Sequence, residues 1–97
     1  MKKKFKSLNE VRKSIDYVDS SLVKLIAERE FYVKKALNFK TSKKQIIDRK
    51  RINIVLKRIK VLSKKYKVDS IITERIWKLM IKNFIILENK LYKKPKK

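Results

Sequence analysis

Between residues 7 and about 41 the apolar positions recur with a helical period and neither Pro nor Gly interrupts them, so the segment reads as one helix of about 34 residues. Its apolar stripe collects Leu8, Val11, Ile15, Val18, Leu22, Leu25, Ile26, Val33, Ala36 and Leu37. Ser7 followed by Glu10 fits a capping box and sets the start. Such a helix spans roughly 50 Å, against a radius of gyration near ~13 Å for a compact domain of this length. A lone monomer cannot cover it. Residues 41–47 lose the periodicity and read as a loop. A second helix starts at Asp48, with Ile52, Val55, Ile59, Leu62 and Tyr66 on its apolar stripe, and ends in a turn at Lys67 and Val68 that contains no Gly. Asp69 is the N-cap expected for a third helix running to about residue 92. That helix is apolar nearly all round, through Ile72, Ile76, Trp77, Leu79, Met80, Ile81 and Phe84 to Leu87. A helix of this kind must be buried on most sides, and three helices from one short chain cannot do that. The expectation is an all-α chain of three helices, the first very long, completed by a second copy. Residues 1–6 form a basic, disordered lead-in, 7–92 the helical domain and 93–97 a basic tail.

Composition narrows the chemistry. Apolar residues make up 43% of the 97 positions, which excludes wholesale disorder. There is no Cys and no His, so disulfides, Cys- or His-based metal sites and imidazole catalysis are out of reach; no metal and no cofactor are expected. The N-terminus passes from MKKKFK straight into an amphipathic pattern, without the apolar core of a signal peptide. The most apolar run, residues 76–87, is interrupted by Lys78, Lys82 and Asn83 and is too short to cross a bilayer. A soluble cytoplasmic protein is the expectation, with no membrane partner. The net charge of +21 attracts anions. Yet 24 of the 30 basic residues are Lys, Ile is abundant and Gly absent, the bias that an A+T-rich coding sequence produces. No nucleic-acid-reading motif or aromatic-interleaved Arg patch is visible.

Two cations fall on the apolar stripe of the first helix, Arg29 and Lys40, while Arg51 flanks the stripe of the second and Glu88 sits beside the apolar face of the third. A single such side chain can bury its stem and keep its head in water. Several converging cations without carboxylate partners point instead to an anionic ligand, because an unpaired buried charge is costly. A dicarboxylate or phosphate suits the bidentate fork of Arg.

These residues carry a resemblance. The string LNEVRKSIDYVDSSLVKLIAERE, with Arg12, Ile15-Asp16, Asp19 and Glu28-Arg29, followed by Lys40, Arg51 and an acid or amide at 88, resembles the all-helical chorismate mutase family over roughly residues 8–92. The resemblance implies an intertwined homodimer whose long first helices cross between subunits. It also implies a substrate, chorismate or isochorismate, that carries two carboxylates and an enolpyruvyl ether. By the same resemblance Arg29 and Arg51, with Arg12 reaching in from the partner subunit, bind the carboxylates. Lys40 and Glu88 are the catalytic pair at the ether oxygen. The reaction is pericyclic, so it calls for positioning and charge stabilisation and for no nucleophile or base.

Three positions depart from the mutase pattern. Glu88 stands where bacterial mutases most often have Gln, and a carboxylate must be protonated to donate a hydrogen bond; activity is therefore expected to fall as pH rises. Ile52 replaces a common Glu, and Phe84 a small polar residue. Those two, with Phe31-Tyr32-Val33-Lys34, Asn38-Phe39-Lys40 and the short loop before Asp48, look more like the isochorismate-pyruvate lyase branch, which forms salicylate and pyruvate on the same fold. The mutase is favoured narrowly, as the commoner activity and because Glu88 departs from both patterns. A catalytically dead homologue and a non-enzymatic, basic nucleic-acid-binding dimer rank behind.

Overall fold

A computed structural model describes residues 4–93. The expected lead-in over residues 1–6 is thus described from Lys4, and of the tail over 93–97 Lys93 alone is described. Three helices make up the architecture: α1 (Leu8–Leu37), α2 (Arg49–Lys65) and α3 (Ser70–Leu91), with a short 3₁₀ turn at Lys43–Gln45 between the first two. There is no strand among the described residues. The all-α, three-helix expectation with a very long first helix is met.

The chain divides within α1 into two units, Met1–Tyr32 and Val33–Lys97. In the first, the described structure is the lead-in from Lys4 and α1 itself. Ser7 Oγ accepts the N–H of Glu10 at 3.2 Å, as a capping box requires. The return leg lands one residue early: Glu10 Oε2 accepts the N–H of Lys6 at 2.6 Å. Ser20 and Ser21 turn their hydroxyls back onto the carbonyls of Asp16 and Tyr17, which keeps two poor helix formers inside the ladder. Leu8, Ile15, Val18, Leu22, Leu25 and Ile26 of the apolar stripe each leave 44–62% of their surface exposed.

In the second unit α1 ends sooner than its pattern predicts. The N–H groups of Asn38, Phe39 and Lys40 donate to the carbonyls of Lys35, Ala36 and Leu37 at 3.1–3.2 Å, so the spacing tightens from i−4 to i−3 and the α-helix stops at Leu37. Lys40 therefore lies beyond the helix, and its expected place on the stripe, in register with Arg29, is corrected. The 30 residues of α1 span about 45 Å. Asp48 caps α2 by accepting the N–H of Arg51 at 3.0 Å, and Asp69 caps α3 by accepting that of Ile71 at 2.9 Å.

The turn between α2 and α3 manages without Gly. Lys67 takes the left-handed conformation itself, at φ 56°. Its N–H bonds the carbonyl of Lys64 at 3.3 Å and that of Val68 bonds Ser63 at 2.9 Å, the Schellman arrangement with Lys in the glycine position. Tyr66 becomes the C-cap and is exposed, with the Lys65 ammonium 5.3 Å from its ring centroid. Of the expected apolar stripe of α2, Ile52, Val55, Ile59 and Leu62 are half-buried, whereas Tyr66, at the end of the helix, is left exposed. The two helices pack along each other. Between them Ser63, 2% exposed, donates to the Ile59 carbonyl at 2.7 Å and shares a 2.6 Å hydrogen bond with Thr73 Oγ1, so its buried hydroxyl is satisfied. The buried apolar side chains are Leu37, Ile46 and Phe84.

Candidate active site

Glu88 belongs to the last turns of α3, one helical turn after Phe84, and both are buried. A carboxylate at such a position needs a partner. Lys40 supplies it, with Nζ 2.7 Å from Glu88 Oε2 and side-chain exposures of 22% for Lys40 and 9% for Glu88. Forty-eight residues apart in sequence, the two expected catalytic side chains are thus in contact. One expectation is overturned here: Lys40 is not a cation without a carboxylate partner, because the α3 face presents one to it. A charge-assisted pair this short, largely out of water, holds a fixed donor, Lys40, which an incoming anion or ether oxygen would share with the Glu88 carboxylate.

The loop that delivers Lys40 is built by local bonds. The Lys40 N–H is held by the Leu37 carbonyl at 3.1 Å. The next residue, Thr41, directs both its N–H and its hydroxyl at Gln45 Oε1, at 2.6 and 3.3 Å. Ile46, 3% exposed, anchors the far side of the loop. Lys40, Lys44, Gln45, Ile47, Asp48 and Arg49 line a cleft at this point, which places three cations around one carboxylate. That carboxylate is already engaged as the cap of α2. The part played by Gln45 was not foreseen, because the string TSKKQII carries no periodicity and a side-chain bond across a turn leaves no mark in it.

The expected substrate-binding arginines are placed as follows. Arg51 is in the first turn of α2 and is exposed. Arg12 and Arg29 lie on α1 in the Met1–Tyr32 unit, the former exposed and the latter half-buried. Seventeen residues of helix separate them, about 25 Å, so one small ring cannot touch both from the same chain. Ile52 is half-buried on α2. The exposed carboxyl of Glu74 is held below its ordinary range by the hydrogen bond and charge of Lys78, 2.8 Å away on the same helix. Among the described residues there is no group of three or more Asp and Glu able to hold a metal, and no helix long and apolar enough to cross a membrane.

Residues 11–89 match the sequence profile described as chorismate mutase type II. The chain belongs to that family. A chorismate mutase of Methanocaldococcus jannaschii is 35% identical to it over 77 residues, which is 78% of this chain and 78% of the relative. Membership makes this chorismate mutase family chain an enzyme of the isomerase type, and the helical order read from its sequence is the order the family implies.

Proposed function

We propose that this chain is a chorismate mutase, converting chorismate to prephenate by a pericyclic rearrangement without a cofactor, as a cytoplasmic homodimer. The observation that carries the reading is the Lys40–Glu88 contact at 2.7 Å in a chain whose family and relative bear the mutase name. Lys40 would donate to the ether oxygen, where negative charge grows as the C–O bond breaks. A protonated Glu88 would donate to it from the other side. Arg29 and Arg51 of one chain, with Arg12 of the partner, would hold the two carboxylates through their forked N–H groups. No proton has to leave the substrate and no covalent bond forms to the protein, so rate enhancement comes from holding the reactive conformer and from donors fixed before the charge develops.

The dimer is supported by α1. Its apolar stripe is about half exposed from Leu8 to Ile26, and among the described residues of its own unit there is no second element to cover it. A second copy of the same helix would do so and would carry an Arg12 to the neighbouring site.

Isochorismate-pyruvate lyase is the second reading. Phe84 favours it: its buried ring on the face of Glu88 makes that wall apolar where a mutase commonly has a small polar group. The two are separated by following ultraviolet loss of chorismate beside salicylate fluorescence from isochorismate. Loss of chorismate absorbance is expected, falling at least a hundredfold in Arg29→Ala and Lys40→Ala, since each removes a charge-stabilising donor. Equal rates in wild type and both variants would sink the site assignment, and salicylate formation would move the assignment to the lyase.

A further inference from the structure

We infer that Gln45 is a positioning residue for Lys40, a role that rests on the enzymatic reading above. A lysine ammonium ends a stem of four rotatable bonds, so aiming it to within a fraction of an ångström requires the backbone beneath it to be fixed. At Lys40 that backbone is held on both sides. Before it, the Lys40 N–H is tied to Leu37 by the last, tightened turn at the end of α1. After it, the Thr41 N–H has no helical carbonyl within reach and is taken by Gln45 Oε1 at 2.6 Å, with the Thr41 hydroxyl converging on the same oxygen at 3.3 Å. A backbone N–H accepts nothing, so the atom facing it must be the carbonyl oxygen of the amide. The ring thus closed over residues 41–45 encloses the 3₁₀ turn, in which Gln45 and Ile46 donate to Ser42 and Lys43 at 3.1 Å. Ile46, buried beside it, keeps the turn from lifting away.

Gln45 itself is exposed and lines the same cleft as Lys40. Its replacement therefore leaves the buried apolar side chains intact and releases the peptide that carries the lysine. Nothing in the pair of Lys40 and Glu88 compensates, because a single ion pair tolerates a swing of the stem that a transition state does not.

Gln45→Met keeps the length of the side chain and removes the acceptor; Gln45→Glu keeps an acceptor for both donors. Steady-state kinetics on chorismate, run on both variants with thermal melts alongside, tests the inference. Gln45→Met is expected to lower kcat about tenfold with KM changed less than threefold, and Gln45→Glu to recover to within threefold of wild type. In a Lys40→Ala background the same Gln45→Met change is expected to alter the rate less than twofold, since a positioning residue has nothing left to position. A tenfold loss that persists without Lys40, or a Gln45→Met enzyme within twofold of wild type, overturns the inference. A wild type with no turnover on chorismate or isochorismate overturns the enzymatic reading instead. The positioning of Lys40 is then decided by its ¹⁵Nζ resonance: a shift in Gln45→Met upholds it, and an unmoved resonance ends it.

Discussion

Glu88 faces Lys40 across the candidate site, and what it can offer a substrate depends on whether it accepts or donates. Ionised, it accepts from Lys40 across 2.7 Å, and then it can donate to nothing. A substrate ether oxygen meets two donors when Glu88 carries a proton, and one lysine shared with a competing carboxylate when it does not. In Glu88→Gln the amide donates where the carboxylate accepts, so kcat on chorismate is expected to exceed that of wild type. Initial rates of the two enzymes side by side check this, and a Glu88→Gln enzyme no faster than wild type would remove the idea. At this scale the sequence was informative where a charge interrupts an apolar pattern. Lys40 and Glu88 stood out for that reason, and the family resemblance paired them. What the pattern could not hold was that α1 lets go three residues before Lys40, or that Gln45 takes up the Thr41 N–H, since both depend on which carbonyl a donor finds in three dimensions.

At the scale of elements, the helix starts and the ends of α2 and α3 were legible, and the end of α1 was not. Ser7, Asp48 and Asp69 each place a short oxygen-bearing side chain just before an apolar period, and each accepts an N–H of the first turn as that chemistry dictates. The end of α1 had no such mark, because Ala36, Leu37 and Lys40 continue the apolar and basic sequence of a helix while the hydrogen bonds change spacing. The end of α2 lacked the Gly that usually signals it. Lys67 fills that place at φ 56°, where a side chain crowds its own carbonyl at a cost of roughly 1–2 kcal/mol. Lys67→Gly relieves the crowding and loses part of the gain to the greater freedom of Gly in the unfolded chain. A net stabilisation of about 0.5–1 kcal/mol is expected. It should be read as a higher urea midpoint at unchanged slope, with protein concentration held fixed. A destabilised variant would mean that the Lys67 side chain makes a contact worth more than its strain.

For the whole molecule, the proposed function would have Arg12 and Lys40 work in one site while belonging to different chains. Arg12 is exposed on α1, about 25 Å of helix rise from Arg29, and the half-exposed stripe between them is the surface a second copy would cover. In a two-fold dimer each site then takes Lys40 from one chain and Arg12 from the other. Arg12→Ala and Lys40→Ala homodimers are both expected to be nearly inactive, each lacking one of these donors in both sites. Unfolding the two variants together and refolding them gives about half heterodimers, and each heterodimer has one site with both defects and one site with neither. The mixture is therefore expected to recover about one quarter of wild-type activity. Dilution of that mixture, or of the wild type, toward the dimer dissociation constant should then lower activity per chain together with the melting temperature. A site contained within one chain gives no recovery at any mixing ratio, so the refolding experiment separates a shared site from a dimer that merely holds two complete ones.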